Sequence, residues 1–109
     1  MRRRNKLNAE KAEVDGLRFD SLKEANYYMQ LRLMERAGEI KELRVHPKYD
    51  LMVNGEKVCG FWPDFEYLDD KGQRHVVDVK GYKGGATFAI FRLKAKLFHA
   101  LYGTEVEVV

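Results

Sequence analysis

Asp64, Asp78 and Lys80 are the residues of this chain best placed to do chemistry. They stand in two short segments, Trp62-Pro63-Asp64-Phe65-Glu66-Tyr67 and His75-Val76-Val77-Asp78-Val79-Lys80-Gly81. Each segment reads as a strand, and Asp69-Asp70-Lys71-Gly72 between them is a turn signal. Strands joined in this way lie side by side. Asp78 and Lys80 are two residues apart and so project from one face, while Val77 and Val79 take the other face and can enter a core. Two carboxylates gathered on one surface can hold a hard divalent cation, and a lysine beside them can activate water or stabilise a phosphate. An Asp and a Lys on a strand face are most often only an exposed ion pair. Asp64 changes that balance, because an acid after Trp62-Pro63 at a strand end has no evident packing role.

The elements that must position these residues follow from pattern. Residues 1–13 are polar and charged and read as a flexible arm, leaving 14–109 as one domain. Val14-Asp15-Gly16-Leu17 is a tight turn before a short extended piece ending at Phe19. Ser21 can cap a helix, with Glu24 three residues on in a capping-box pattern. Leu22, Ala25, Met29 and Leu33 recur at helical spacing, widened by Tyr28, and Gly38 ends the helix. Strands are expected over 40–45 and 49–53, then from about Val58 to Leu68 after the hairpin signal Asn54-Gly55. Pro63 inside that last strand calls for an edge position or a bulge that re-aims Asp64. Gly81 to Gly85 reads as a loop. Thr87 to Tyr102 reads as a second helix with Phe88, Phe91, Ala95, Phe98 and Leu101 on its apolar face, stopped by Gly103. Thr104 to Val109 alternates as a last strand. The expected fold is α/β (α+β), a mixed sheet flanked by helices in the order α-β-β-β-α-β.

The ordered set of motifs, proline-aspartate, a gap, then acid-any-lysine, resembles the PD-(D/E)XK nuclease superfamily, and more closely its small phage and prophage endonucleases. Phe19-Asp20-Ser21-Leu22-Lys23-Glu24-Ala25 with Tyr27 and Tyr28 resembles their first helix. Ala37 to Leu43 is similar to the helix exit, and Phe91-Arg92-Leu93-Lys94 through Leu101-Tyr102-Gly103 to the second helix. The resemblance implies a restriction-endonuclease-like core and a Mg²⁺-dependent endodeoxyribonuclease, with Mn²⁺ as a substitute. Asp64 and Asp78 would bind the metal, the Val79 carbonyl would add a further ligand, and Lys80 would polarise the attacking water. The first-helix Glu24 has two readings, a metal ligand by resemblance or a helix cap by its spacing from Ser21. Glu66, two residues beyond Asp64, is a backup ligand or simply a solvated or ion-paired residue.

Composition sets further bounds. At 109 residues, 45% of them hydrophobic, the chain suffices for one core. The net charge is only +3, but Arg2, Arg3, Arg4 and Lys6 form a basic arm with no early acid, the kind that contacts DNA phosphates. Lys83 beside Gly84-Gly85, and Arg92, Lys94 and Lys96 on the second helix, are further candidates for DNA backbone contact; the plain alternative is a solvated surface. No GxxxxGK loop is present, so no nucleotide cofactor is expected. His46, His75 and His99 match no zinc spacing. Cys59 is a lone cysteine in an apolar strand, so an intracellular, cytoplasmic protein is expected, and no apolar run suggests a membrane span. No spare helix is available to read sequence in a groove. Recognition of DNA shape is therefore expected, and similarity to phage Holliday-junction resolvases of DNA recombination implies a homodimer acting on four-way junctions. The alternatives are a phage nuclease of other specificity (nicking, flap or restriction-like) and a non-catalytic DNA-binding protein.

Overall fold

The computed structural model describes residues 11–109; Arg2, Arg3, Arg4 and Lys6 of the basic arm lie outside the described residues. It begins with a hairpin of β1 (Ala12–Val14) and β2 (Leu17–Phe19), paired antiparallel. Asp15 and Gly16 at its turn both have left-handed backbone, φ 54° and 76°, the conformation that matches the twist of the flanking strands. β1 takes in Ala12 and Glu13, which pair with Phe19 and Arg18. The boundary expected at residue 14 is thus corrected: a partner strand satisfies their backbone groups.

Helix α1 (Leu22–Arg36) starts at Ser21, whose extended backbone and Oγ, accepting from the Glu24 N–H at 3.1 Å, make the cap. Its core side takes in only part of the expected stripe, Ala25 and Tyr28. Ala25, Tyr28 and Leu31 are buried with Glu24, whereas Leu22, Met29 and Leu33 are exposed. Those three lie on the opposite side of the helix. The sheet takes the side carrying Tyr28, whose ring packs on Phe19 and Phe65 and whose hydroxyl donates to Asp15 Oδ2 at 2.9 Å.

After α1 come β3 (Ile40–Val45), β4 (Tyr49–Val53), β5 (Glu56–Phe61), β6 (Phe65–Asp69) and β7 (Arg74–Asp78). Helix α2 (Gly85–Tyr102) and β8 (Val106–Val108) complete the chain. β3 and β4 keep the bounds expected for them, 40–45 and 49–53. Four strands form a mixed sheet in the order β3-β6-β7-β8, antiparallel except for β7 with β8, which are joined in parallel through α2. β4 and β5 form a separate hairpin around Asn54-Gly55, both again with positive φ. The single strand expected over 58–68 is therefore two. Trp62-Pro63-Asp64 breaks it, because Pro63 cannot donate to a ladder and Trp62 folds back on Gly60. A Cβ on Gly60 would stand 2.8 Å from the Trp62 ring, so the fold-back depends on glycine.

Strand alternation sends β6 and β7 side chains to both faces. Phe65, Tyr67 and Val77 join the α1 residues in one core with partly buried Val79. Val76 joins Phe91 and Phe98 of α2, and Leu51 and Phe61 of the hairpin, in a second core. The helices therefore cover opposite faces, and the mixed sheet flanked by helices is the architecture observed. Phe65 and Phe98, both fully buried, each contribute roughly 1.5–3 kcal/mol. Leu101, expected in the α2 core, is instead exposed together with Ile90 and Leu93, because Phe91 and Phe98 turn the other side inward. Gly103 ends α2 with φ 74°. Among the described residues no helix is long and apolar enough to cross a membrane.

His75 fastens the far end of the sheet. Its Nε2 lies 2.8 Å from Asp69 Oδ2 and its Nδ1 2.8 Å from Glu107 Oε2. Asp69 Oδ1 also accepts the N–H groups of Lys71 and Gln73 at the β6–β7 turn. The hydrogen bond to Asp69 holds the His75 imidazole above its ordinary range. An imidazolium whose folded pKa is raised stabilises the fold below its unfolded value near 6.5 and loses that contribution as pH rises through the folded value. Thermal melts of the parent should therefore fall as pH rises above about 6.5, and this part of the fall should be absent from His75→Gln.

Candidate active site

Asp64 lies just before β6, where the ladder continues past the strand end. Its N–H donates to the Val77 carbonyl at 3.1 Å, and its own carbonyl accepts from the His46 N–H at 2.8 Å. Its side chain reaches across to β7, where Oδ2 accepts from the Val79 N–H at 2.7 Å. Three hydrogen bonds thus fix an acid beside the end of β7. Burial, then the neighbouring Asp78 charge, push the Asp64 carboxyl up to about 8 against the pull of the Val79 N–H; Glu24 adds to the rise and Lys80 opposes it.

Asp78 and Lys80 project from one face, as their spacing requires. Lys80 Nζ stands 2.9 Å from Asp78 Oδ2 and 4.0 Å from the centre of the Phe91 ring, a cation–π contact that ties it to α2. The backbone on either side is clamped by the chain end after β8: Val109 donates to the Asp78 carbonyl and accepts from the Lys80 N–H, both at 3.0 Å. Asp78 is buried, and Lys80 is its ion-pair partner.

Glu24 arrives from α1. Its backbone N–H serves the helix cap, while its carboxylate points away to His46, Oε1 to Nε2 at 2.6 Å. Only the backbone N–H joins the cap, and the carboxylate, for which the cap and a metal were the alternatives, is turned to His46. Burial raises its carboxyl, partly offset by the hydrogen bond from His46. His46 is the residue that sequence spacing missed. It follows β3 with φ 52°, immediately before buried Pro47, where residues are normally steered to extended backbone. Such strain costs about 1–3 kcal/mol and needs surrounding structure to hold it; here the hydrogen bond to the Asp64 carbonyl does so. Ligand atoms of Glu24, His46 and Asp64 all lie within 4.8 Å of one another.

Ligands of one divalent ion lie about 2.0–2.6 Å from it, so that span fits a single cation. The Val79 carbonyl adds to the fit. Asp78 and Lys80 turn their backbone bonds toward Val109, so the alternating Val79 turns its own toward Asp64. Its N–H is taken by Asp64, and its carbonyl accepts no backbone hydrogen bond among the described residues. Mutual repulsion of buried carboxylates, visible in the raised Asp64, is relieved by positive charge. The residues present thus suit a divalent cation, with Asp64 central, Glu24, His46 and the Val79 carbonyl around it, and Asp78 adjoining.

Other candidates sit elsewhere. Glu66 is buried, with its Oε2 3.4 Å from Arg74 and 3.7 Å from Arg44, the ion-paired reading, while its Oε1 has no hydrogen-bond partner among the described residues. Arg92, Lys96 and Lys83 are exposed and Lys94 is half-buried; Arg92 follows Phe91, the ring under Lys80. Lys23 of α1 donates to the Lys80 carbonyl at 2.9 Å, tying the first helix to the same strand end.

A family model described as "Protein of unknown function (DUF1064)" matches residues 4–108. The chain belongs to the DUF1064 family. The match spans both helices, the sheet and every residue of the candidate site. No curated protein and no solved structure matches this DUF1064 chain.

The raised Asp64 carboxyl has a measurable consequence. Unfolded, the group ionises near 3.8, whereas folded it keeps its proton to about 8. The folded state binds more protons in between, so stability falls as pH rises across that window. Asp64→Asn should melt higher than the parent near pH 8, with the gap closing toward pH 4, and added Mg²⁺ should raise the melting temperature of the parent alone.

Proposed function

We propose that this DUF1064 protein is a metal-dependent endodeoxyribonuclease that hydrolyses DNA phosphodiester bonds. The supporting observation is the meeting, at one end of the sheet, of half-buried Asp64, buried Asp78, the Lys80 amine and the buried α1 carboxylate of Glu24. Asp64 and Glu24 hold the cation with the Val79 carbonyl, Asp78 completes the acidic wall, and Mg²⁺ suits the oxygen donors. The bound ion supplies charge stabilisation for the phosphate and a nucleophile at neutral pH. Lys80, held between Asp78 and the Phe91 ring, orients the attacking water and offsets the negative charge of the scissile phosphate. Arg92, Lys94, Lys96 and Lys83 contact the DNA backbone on the α2 side, and their role is to position the duplex rather than to read bases.

Among DNA substrates a branched four-way junction is the leading candidate, cut by a homodimer that places two sites symmetrically. The described residues offer no helix free to enter a groove: α1 and α2 are both packed on the sheet. Shape is then the feature left to recognise. Exposed Ile90, Leu93 and Leu101 on α2 are available to a second subunit.

Asp78→Ala should lower Mg²⁺-dependent cleavage by roughly a hundredfold or more, the loss of several kcal/mol of charge stabilisation. DNA binding, measured by gel shift in Ca²⁺, should persist or tighten, because one negative charge facing the phosphates is gone. Cleavage at the parental rate would remove Asp78 from the mechanism. On a panel of duplex, flap, fork and four-way substrates, paired symmetric nicks confined to the junction are expected. Cutting of flaps or plain duplex would instead mark a nuclease of another specificity.

A further inference from the structure

The site contains a nitrogen donor that an all-oxygen magnesium centre does not require. We infer that His46 is itself a metal ligand and that it biases the site toward a first-row transition dication, so that Mn²⁺ binds in preference to Mg²⁺. This rests on the reading of the site as a cation-binding nuclease centre and specifies its ion.

Three observations carry it. First, the imidazole faces the acids: Nε2 lies 2.6 Å from Glu24 Oε1, and its ligand atom falls within 4.8 Å of those of Glu24 and Asp64. Second, its position is built by the surrounding structure. The left-handed backbone, φ 52°, is held by the hydrogen bond to the Asp64 carbonyl, and the ring packs against buried Phe19 at 5.8 Å between centres. The main chain that carries Asp64 thus also aims His46, so the oxygen and nitrogen donors are set by one local geometry. Third, the chemistry of the two donors differs. Carboxylates and carbonyls suit Mg²⁺, Ca²⁺ and Mn²⁺ alike, whereas imidazole adds affinity for first-row transition ions and little for Mg²⁺. A mixed set of this kind discriminates among ions by ligand type. The competing reading is that His46 only hydrogen-bonds Glu24 and orients it from outside the coordination sphere.

Electron paramagnetic resonance with Mn²⁺ alone, on the full chain, separates these. A titration that follows the loss of the free-ion signal gives stoichiometry and affinity, and pulsed spectra read directly bound nitrogen. One bound Mn²⁺ with a directly coordinated nitrogen is expected. That nitrogen signal should persist in His75→Gln and vanish in His46→Ala. Mn²⁺ affinity should fall about tenfold or more in His46→Ala, with Mg²⁺ affinity, measured by competition, changed far less. His46→Gln, which keeps a polar side chain, serves if the alanine variant does not fold. Bound Mn²⁺ lacking a nitrogen signal in the parent, or a signal surviving His46 substitution, would overturn the assignment while leaving the cation site intact. Equal Mn²⁺ binding by the parent and Asp64→Asn would remove the site itself, and the nuclease reading with it.

Discussion

The structure depends on how Asp64 is threaded between two strands. Its amide and carbonyl continue the ladder outward from β6, toward Val77 on one side and His46 on the other, and its carboxylate takes the next amide of β7. Its carboxylate cannot rotate out to solvent without giving up the hydrogen bond from the Val79 N–H at a partly buried position, which is costly to leave unmade. The same connections set the end of β3 and the end of β7 on either side of Asp64. Glu24 then needs only the docking of α1 to join them, and that docking is secured by Phe19, Tyr28 and Phe65 packed together.

β7 shows how one strand can be structural and chemical at once. Val76 and Val77 are both fully buried, one under each helix, so the strand is held firmly from two sides. Beyond them Asp78 and Lys80 stay on the α2 face while Val79 remains in the α1 core. Firm packing before the site and polar residues at its end give a rigid platform, which is what accurate positioning of charged groups requires. The concentration of negative charge is a local sacrifice of stability of the kind that accompanies function. Here it is most plainly expressed in Asp64, with Asp78 as its principal charged neighbour.

Much of this was legible in the residues. Asp78 and Lys80 share a face because strands have a period of two. Asp15-Gly16 and Asn54-Gly55 form hairpins because few residues tolerate positive φ at both turn positions. Ser21 and Gly103 mark helix ends for similarly local reasons. The misreadings arose where tertiary contacts decide. Leu22, Met29 and Leu33 make as good a helical stripe as Ala25, Tyr28 and Leu31, and only the aromatic neighbours of Tyr28 select between them. The break at Pro63 was visible as an anomaly, yet nothing local indicated that the preceding half of the strand would leave the main sheet. His46 gave the weakest signal of all. It reaches the acids through a left-handed residue followed by proline, a combination that local preference argues against and that only the fold sustains.

The parallel pairing of β7 with β8 has a temporal consequence. A parallel neighbour has to be reached by a crossover, and here the crossover is α2, so the hydrogen bonds that Val109 makes to Asp78 and Lys80 close the longest loop of the sheet. Long-range pairings of this kind form late. The backbone of the lysine and its acid is therefore clamped only when β8 has docked beside β7. Docking of the last strand and alignment of the pair become a single event.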